Sequence, residues 1–170
     1  MEMEIYGPCA DNLPLILNDV LDRIKQLSST QVANGHPKLY EHLIGRVKAN
    51  DSMTEKCQRK GYPATPESAL RKCRDAVGIR VVCNFIDDVY RCIDLLRDAD
   101  WCTIVKEKDY IANAKPNGYR SYHLILDVVT PYQDIDGQTP GHYFVEIQLR
   151  TIAMDSWASL EHEMKYKHDI

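Results

Sequence analysis

The chain holds 170 residues with a formal net charge of −4; 44% of its residues are hydrophobic and 27% charged. That length and balance suit one globular domain able to bury a core, and they exclude a disordered tail. The acidic excess argues against a surface built to grip duplex DNA, no apolar run nears the roughly 18 residues of a membrane span, and the opening MEMEIYGPCADN is acidic rather than signal-like.

Residues 11–30 read as an amphipathic helix, with Leu17, Leu21, Ile24 and Leu27 at helical spacing and Asp11 as its cap. A short strand is expected within LYEHLIGRVKAN. Ser52-x-x-Glu55 reads as a capping box opening a helix that Gly61 closes, and Thr65-Pro66 opens another over 66–74. The run 76–85, AVGIRVVCNF, is the clearest strand and a central one, being β-branched and largely apolar. Asp87 then caps a helix with Val89, Cys92, Ile93 and Leu96 on one side. Strands are expected at 101–106, 121–130 and 142–150, the last two joined by a hairpin-type loop, and a helix at 152–167. The fold class is therefore α+β (mixed α/β) around one sheet. The six cysteines (Cys9, Cys57, Cys73, Cys83, Cys92, Cys102) include no C-x-x-C pair, which predicts buried, reduced thiols in a cytoplasmic protein rather than a disulfide framework or a zinc site.

Alternation in HYFVEIQLR puts Val145, Ile147 and Leu149 on one face and Glu146, Gln148 and Arg150 on the other. A solvated outer face would give the same pattern. Ser121 and His123 nevertheless share a face of the preceding strand, and the loop before it carries Lys115, Asn117, Gly118 and Tyr119. Asp75 offers a second carboxylate, and two carboxylates from one sheet suit a magnesium ion completed by phosphates. Taken alone, Asp75 could equally be a turn residue. Arg80, inside an apolar strand, needs a carboxylate, an open face or a phosphate. Between 46 and 80 lie nine Lys and Arg against four Asp and Glu, and Ser52, Lys56 and Arg59 share a helix face near Arg46 and Lys48. That face is either solvated or a cationic wall for a polyphosphate. Phosphate-binding glycine loops are absent, and His162, His168 and Asp169 form no convincing metal set.

Four blocks stand in order over residues 41–167: HLIGRVK with SMTEKCQRK, DAVGIRVVCNFIDDVY, KDYIANAKPNGYRSYH and VEIQLRTIAMDSWASLEHEMKYK. In these the chain resembles the synthetase domain of the RelA/SpoT family, the (p)ppGpp or alarmone synthetases, and among them the small single-domain RelQ-type members. The resemblance implies a nucleotidyltransferase-like mixed sheet flanked by helices. It implies an N-terminal helical segment (1–40) and a synthetase domain (41–170), with the C-terminal helices of RelQ-type members expected to lie outside this sequence. The hydrolase half of long family members is absent, so synthesis without degradation is expected.

The implied reaction is that of a GTP diphosphokinase of the stringent response, moving pyrophosphate from ATP to the ribose 3′-hydroxyl of GTP or GDP and releasing AMP. Asp75 and Glu146 would hold Mg2+, and Glu146 would also accept the hydroxyl proton. Arg46 and Arg80 would sandwich the adenine or its phosphates while Lys48, Ser52, Lys56 and Arg59 cradle the polyphosphate. Tyr119 would stack on guanine, with Lys115, Asn117, His123 and Gln148 placing the acceptor. Further implied partners are sister subunits in a tetramer, an allosteric alarmone near the helix carrying Arg23 and Lys25, and a single-stranded RNA regulator. No membrane partner is expected. The alternatives are a toxic relative that pyrophosphorylates the tRNA 3′ end and a catalytically silent nucleotide- or RNA-binding regulator.

Overall fold

The structure, a computed structural model, describes residues 4–168, with side-chain surroundings over 4–164. Strands β1 (His42–Val47), β2 (Val77–Cys83), β3 (Cys102–Asp109), β4 (Tyr122–Thr130) and β5 (Gly141–Thr151) form one sheet in the order β1-β2-β5-β4-β3. Strands β2 and β5 run parallel; every other neighbouring pair is antiparallel. This is the mixed, helix-flanked sheet expected from the sequence. The parallel pair is closed by a long crossover through α3 (Ile86–Asp98), β3 and β4, since parallel neighbours cannot be joined by a tight turn.

One face of the sheet is the core. Val77, Ile79 and Val81 of β2, Val145, Ile147 and Leu149 of β5, and Leu124, Leu126 and Val128 of β4 are all buried. Two helices cover them. The first, α1 (Asn12–Ala33), lies against β1 and β2 and buries Leu13, Ile16, Val20 and Ile24; α3 lies against β2, β3 and β5 and buries Val89, Cys92, Ile93 and Leu96. The two helices thus bury residues at the 3.6-residue period, the strands at period two. The six cysteines are buried and unpaired by disulfides. The opposite face is left to polar side chains, with α4 (Ile152–His168) packed against β5 and β2. No helix among the described residues is long and apolar enough to cross a membrane.

Several local expectations are corrected. Helix α2 (Asn50–Lys60) starts two residues before Ser52, with Ala49 at its cap, so no capping box forms. The Asn50 side chain instead accepts a hydrogen bond from the Ile5 backbone N–H, and Asp51 supplies first-turn negative charge. Gly61 closes α2 in the left-handed conformation as expected. Asp87 lies in the first turn of α3, whose cap position is Phe85, and Asp11 caps α1 in position only, without a side-chain bond. Thr65 does cap the turn that follows it, its Oγ1 accepting from Ser68 N–H at 3.2 Å. Strand β3 extends to Asp109, past the expected end at 106. The stretch from Glu107 reads as a loop, yet Glu107, Lys108 and Asp109 pair with Leu124, His123 and Tyr122 on β4.

Gly141 begins β5 where the loop before it turns back. A Cβ there would fall on the Tyr132 carbonyl oxygen and lie 2.8 Å from Asp134 N. Neither neighbour can yield cheaply, because the buried Asp134 carboxylate holds the loop by accepting the backbone N–H groups of Asp136, Gln138 and His142. Gly141→Ala is therefore expected to destabilise the fold by about 3 kcal/mol, the upper range for overpacking. Urea unfolding measures it; a midpoint equal to that of the parent would disprove the steric argument.

Candidate active site

The strand registers set the polar face in two transverse rows. One row runs Arg80, Gln148, His123, Lys108 across β2, β5, β4 and β3; the next runs Arg46, Gly78, Glu146, Ile125, Lys106 across all five strands. Each strand contributes one residue per row because alternate side chains face the same way. Three hollows with shared walls lie over these rows. One, of about 120 Å³, is lined by Arg46, Asp75, Gly78, Arg80, Glu146 and Gln148. A second, of about 180 Å³, has Lys106, Lys108, Tyr110, Lys115, His123 and Glu146 in its walls. The third, of about 460 Å³, opens between Arg80, Asn117, Tyr119 and Arg150 and the α4 residues Trp157 and His162.

Asp75 sits two residues before β2 and is held by two ammonium groups. Lys48 Nζ donates to its Oδ2 at 2.7 Å and Lys56 Nζ approaches the same oxygen at 2.8 Å. Lys48 is placed by its own backbone N–H, which bonds Ala76 O (2.8 Å) and so continues the β1–β2 pairing. Burial alone would raise the Asp75 pKa, but the two lysines outweigh it and hold the carboxyl below its ordinary range. Among the described residues, Asp75 Oδ1 is buried without a hydrogen-bond partner, and so is Arg80 Nε. Over Gly78, in the row between Arg46 and Glu146, a Cβ would meet nothing within 4 Å. Two carboxylates, one with an orphaned oxygen, beside open space ringed by cations fit a divalent metal carrying phosphates.

On the other side, a tight turn presents Tyr119. Gly118 N bonds Lys115 O (2.8 Å), Gly118 takes a left-handed φ of +88°, and Asn117 Oδ1 accepts from Tyr119 N at 3.0 Å. Lys115 Nζ lies 5.4 Å from the Tyr119 ring centroid and 4.8 Å from that of Tyr110. The Tyr119 hydroxyl is 3.0 Å from His123 Nε2. Burial, followed by the charges of Arg150, Lys115 and Lys108, pushes the His123 pKa down to about 4, so the ring is neutral at cellular pH. Gln148 Nε2 donates to Glu146 Oε1 at 2.9 Å and orients it.

The family description "Region found in RelA / SpoT proteins" matches residues 45–170. The chain belongs to the RelA/SpoT family. It is 40% identical over 151 residues to the GTP pyrophosphokinase YwaC of Bacillus subtilis, covering 88% of this chain and 70% of that protein. It is 41% identical over 128 residues to YjbM, a GTP pyrophosphokinase of the same organism, covering 75% of this chain and 57% of YjbM. Among solved structures, the small alarmone synthetase 1 of B. subtilis bound to its product pppGpp superposes with a TM-score of 0.76 at 34% identity, over 92% of this chain and 77% of that one. Pyrophosphokinases of the RelA/SpoT family use a divalent metal.

Of the residues expected from the RelA/SpoT resemblance, the structure gathers Arg46, Asp75, Arg80, Glu146 and Gln148 around one hollow, with Lys48 and Lys56 on Asp75. Lys115 and His123 meet at the second hollow, and Asn117 and Tyr119 at the third. Asn117 spends its carbonyl oxygen on the turn. Ser52 and Arg59 are exposed on α2 and form no part of these three walls. Sequence reasoning overlooked Lys106, which ends an expected strand whose neighbours the sequence does not give, and Lys108, whose stretch reads as loop. It also passed over Arg150 and Asp155, which pair at 3.3 Å, although the alternation in HYFVEIQLR had already placed Arg150 on the polar face. Asp169 and the side chain of His168 lie outside the described residues.

Proposed function

We propose that this chain is a (p)ppGpp synthetase that transfers pyrophosphate from ATP to the ribose 3′-hydroxyl of GTP or GDP and releases AMP. The observation carrying this reading is the placement of Asp75 and Glu146 on one hollow. Arg46, Arg80, Lys48 and Lys56 lie on one side of it; Tyr119, His123 and a lysine cluster lie on the other. The 3′-oxygen attacks the β-phosphorus of ATP, the bond from that phosphorus to the α–β bridging oxygen breaks, and AMP leaves. Glu146 takes the hydroxyl proton. Mg2+ held by Asp75 and Glu146 would neutralise phosphate charge. Arg80, whose Nε has no hydrogen-bond partner among the described residues, and Arg46 grip the donor. On the acceptor side Tyr119 stacks on guanine, and Lys106, Lys108 and Lys115 meet the 5′-phosphates. Most of what pyrophosphoryl transfer requires is positioning and charge neutralisation, which this face offers. A cytoplasmic location belongs to this proposal, since that compartment supplies ATP and guanine nucleotides.

The test is anion-exchange chromatography of reactions holding ATP, Mg2+ and, separately, GMP, GDP or GTP. Equimolar AMP and a more highly charged guanosine product are expected with GDP and GTP. No AMP with any guanine nucleotide would end this reading, and AMP formed only with tRNA would replace it with the tRNA-modifying one.

A further inference from the structure

Arg150 lies on the polar face of β5, two residues beyond Gln148, with a side chain only 7% exposed. A guanidinium so deeply withdrawn needs its donors matched. Its partners come from four parts of the fold. Nε donates to Ser121 Oγ (3.4 Å) just before β4, Nη1 to Asp155 Oδ1 (3.3 Å) on α4, and Nη2 to both the Tyr119 hydroxyl (2.7 Å) and Gln148 Oε1 (3.1 Å). Its Cζ is also 5.2 Å from the centre of the Tyr119 ring.

The contact with Tyr119 has a directional consequence. A guanidinium cannot accept a hydrogen bond, so the Tyr119 oxygen accepts from Arg150. The hydroxyl proton is then offered to His123 Nε2, 3.0 Å away. The arrangement that satisfies all three groups has Nε2 bare and the ring proton on Nδ1, the less common tautomer of a free imidazole. Tyr119 and His123 cross edge to face at 87°, so fixing the hydroxyl fixes the relative setting of both rings.

We propose that Arg150 is a positioning residue for the acceptor nucleotide: by gripping the Tyr119 hydroxyl it sets the plane of the stacking ring and the tautomer of His123. The inference rests on the synthetase reading, in which these two rings face the acceptor. Lysine cannot substitute, because one ammonium on a flexible stem cannot hold four partners in a planar fork.

Two measurements that need no turnover test this. Nitrogen-15 NMR of the imidazole rings, with the His123→Gln protein identifying the signal, is expected to show His123 protonated on Nδ1 in the parent. In Arg150→Lys and in Tyr119→Phe it is expected to shift toward the Nε2-protonated form. Equilibrium binding should show the Kd for GDP rising about tenfold in Arg150→Lys, the scale of one lost charge-assisted hydrogen bond, while the Kd for ATP stays within about twofold. A merely structural arginine would lower the unfolding midpoint and leave both the tautomer and the ratio of the two Kd values untouched; that result overturns the proposal. Should Arg150→Lys fail to fold, Tyr119→Phe, which loses one hydroxyl and keeps the ring, decides alone, and an unchanged His123 there overturns it too. A parent protein that makes no AMP counts against the synthetase reading, whereas these two readings of Arg150 stand apart from it.

Discussion

A Glu146→Gln protein is expected to release AMP at least ~10³-fold more slowly than the parent while folding as well. General-base catalysis contributes roughly 10²- to 10⁴-fold, and the substitution also removes one of the two carboxylates offered to the metal. The change leaves shape and packing almost alone. Gln148 donates to Glu146 Oε1, and a glutamine amide oxygen can accept that same bond. Half-buried on a strand whose neighbours Val145 and Ile147 are fully buried, the residue carries little of the fold's stability. Initial rates of AMP release, with thermal unfolding beside them, separate the two effects. Retention of more than about a tenth of parental activity would remove Glu146 from the chemistry.

Asp75→Asn is expected to cost activity on the same scale, ~10³-fold, but to behave differently toward metal and stability. The parent carboxylate gives Oδ2 to both Lys48 and Lys56 and keeps Oδ1 buried and unbonded. An asparagine offers one neutral oxygen, which can serve a lysine or a cation poorly and not both well. It leaves two ammonium groups close together with no counter-charge, so a lower unfolding midpoint should accompany the lost activity. Because the carboxyl is held below its ordinary pKa, it is ionised at every pH where activity would be assayed. No pH change within that range should rescue or mimic the variant. Rates are to be measured across a series of Mg2+ concentrations: recovery to within tenfold of the parent at high Mg2+ would reduce Asp75 to an aid in metal affinity.

Much of this architecture was open to inspection in the linear chain, for identifiable reasons. Period-two alternation exposed the two faces of β5, and an arginine inside the apolar run of β2 announced that one face of that strand had business other than packing. What stayed hidden was transverse. Arg46, Glu146 and Lys106 lie in a single row across the sheet but are far apart in sequence, and only the registers bring them together. Lys108 was invisible for a second reason: the solvent-exposed end of an edge strand carries the composition of a loop, and its pairing to β4 overrides that composition. The start of α2 was misjudged because Ser52 and Glu55 satisfy the capping pattern on paper, while Asn50, bonded to Ile5 from the far N-terminal segment, fixes an earlier start. Local patterns cannot register a partner forty-five residues away.

The transverse rows carry one more implication. In a sheet whose side chains alternate, sliding any strand by one residue would turn its polar set inward against α1 and α3 and push valine, isoleucine or leucine out into the reaction space. The penalty for that error falls on the core and on the chemistry at once, so a misregistered molecule is unstable as well as inert. Burial thereby proofreads the catalytic alignment during folding: molecules that survive as native have already passed inspection, and a preparation's active fraction should track its folded fraction.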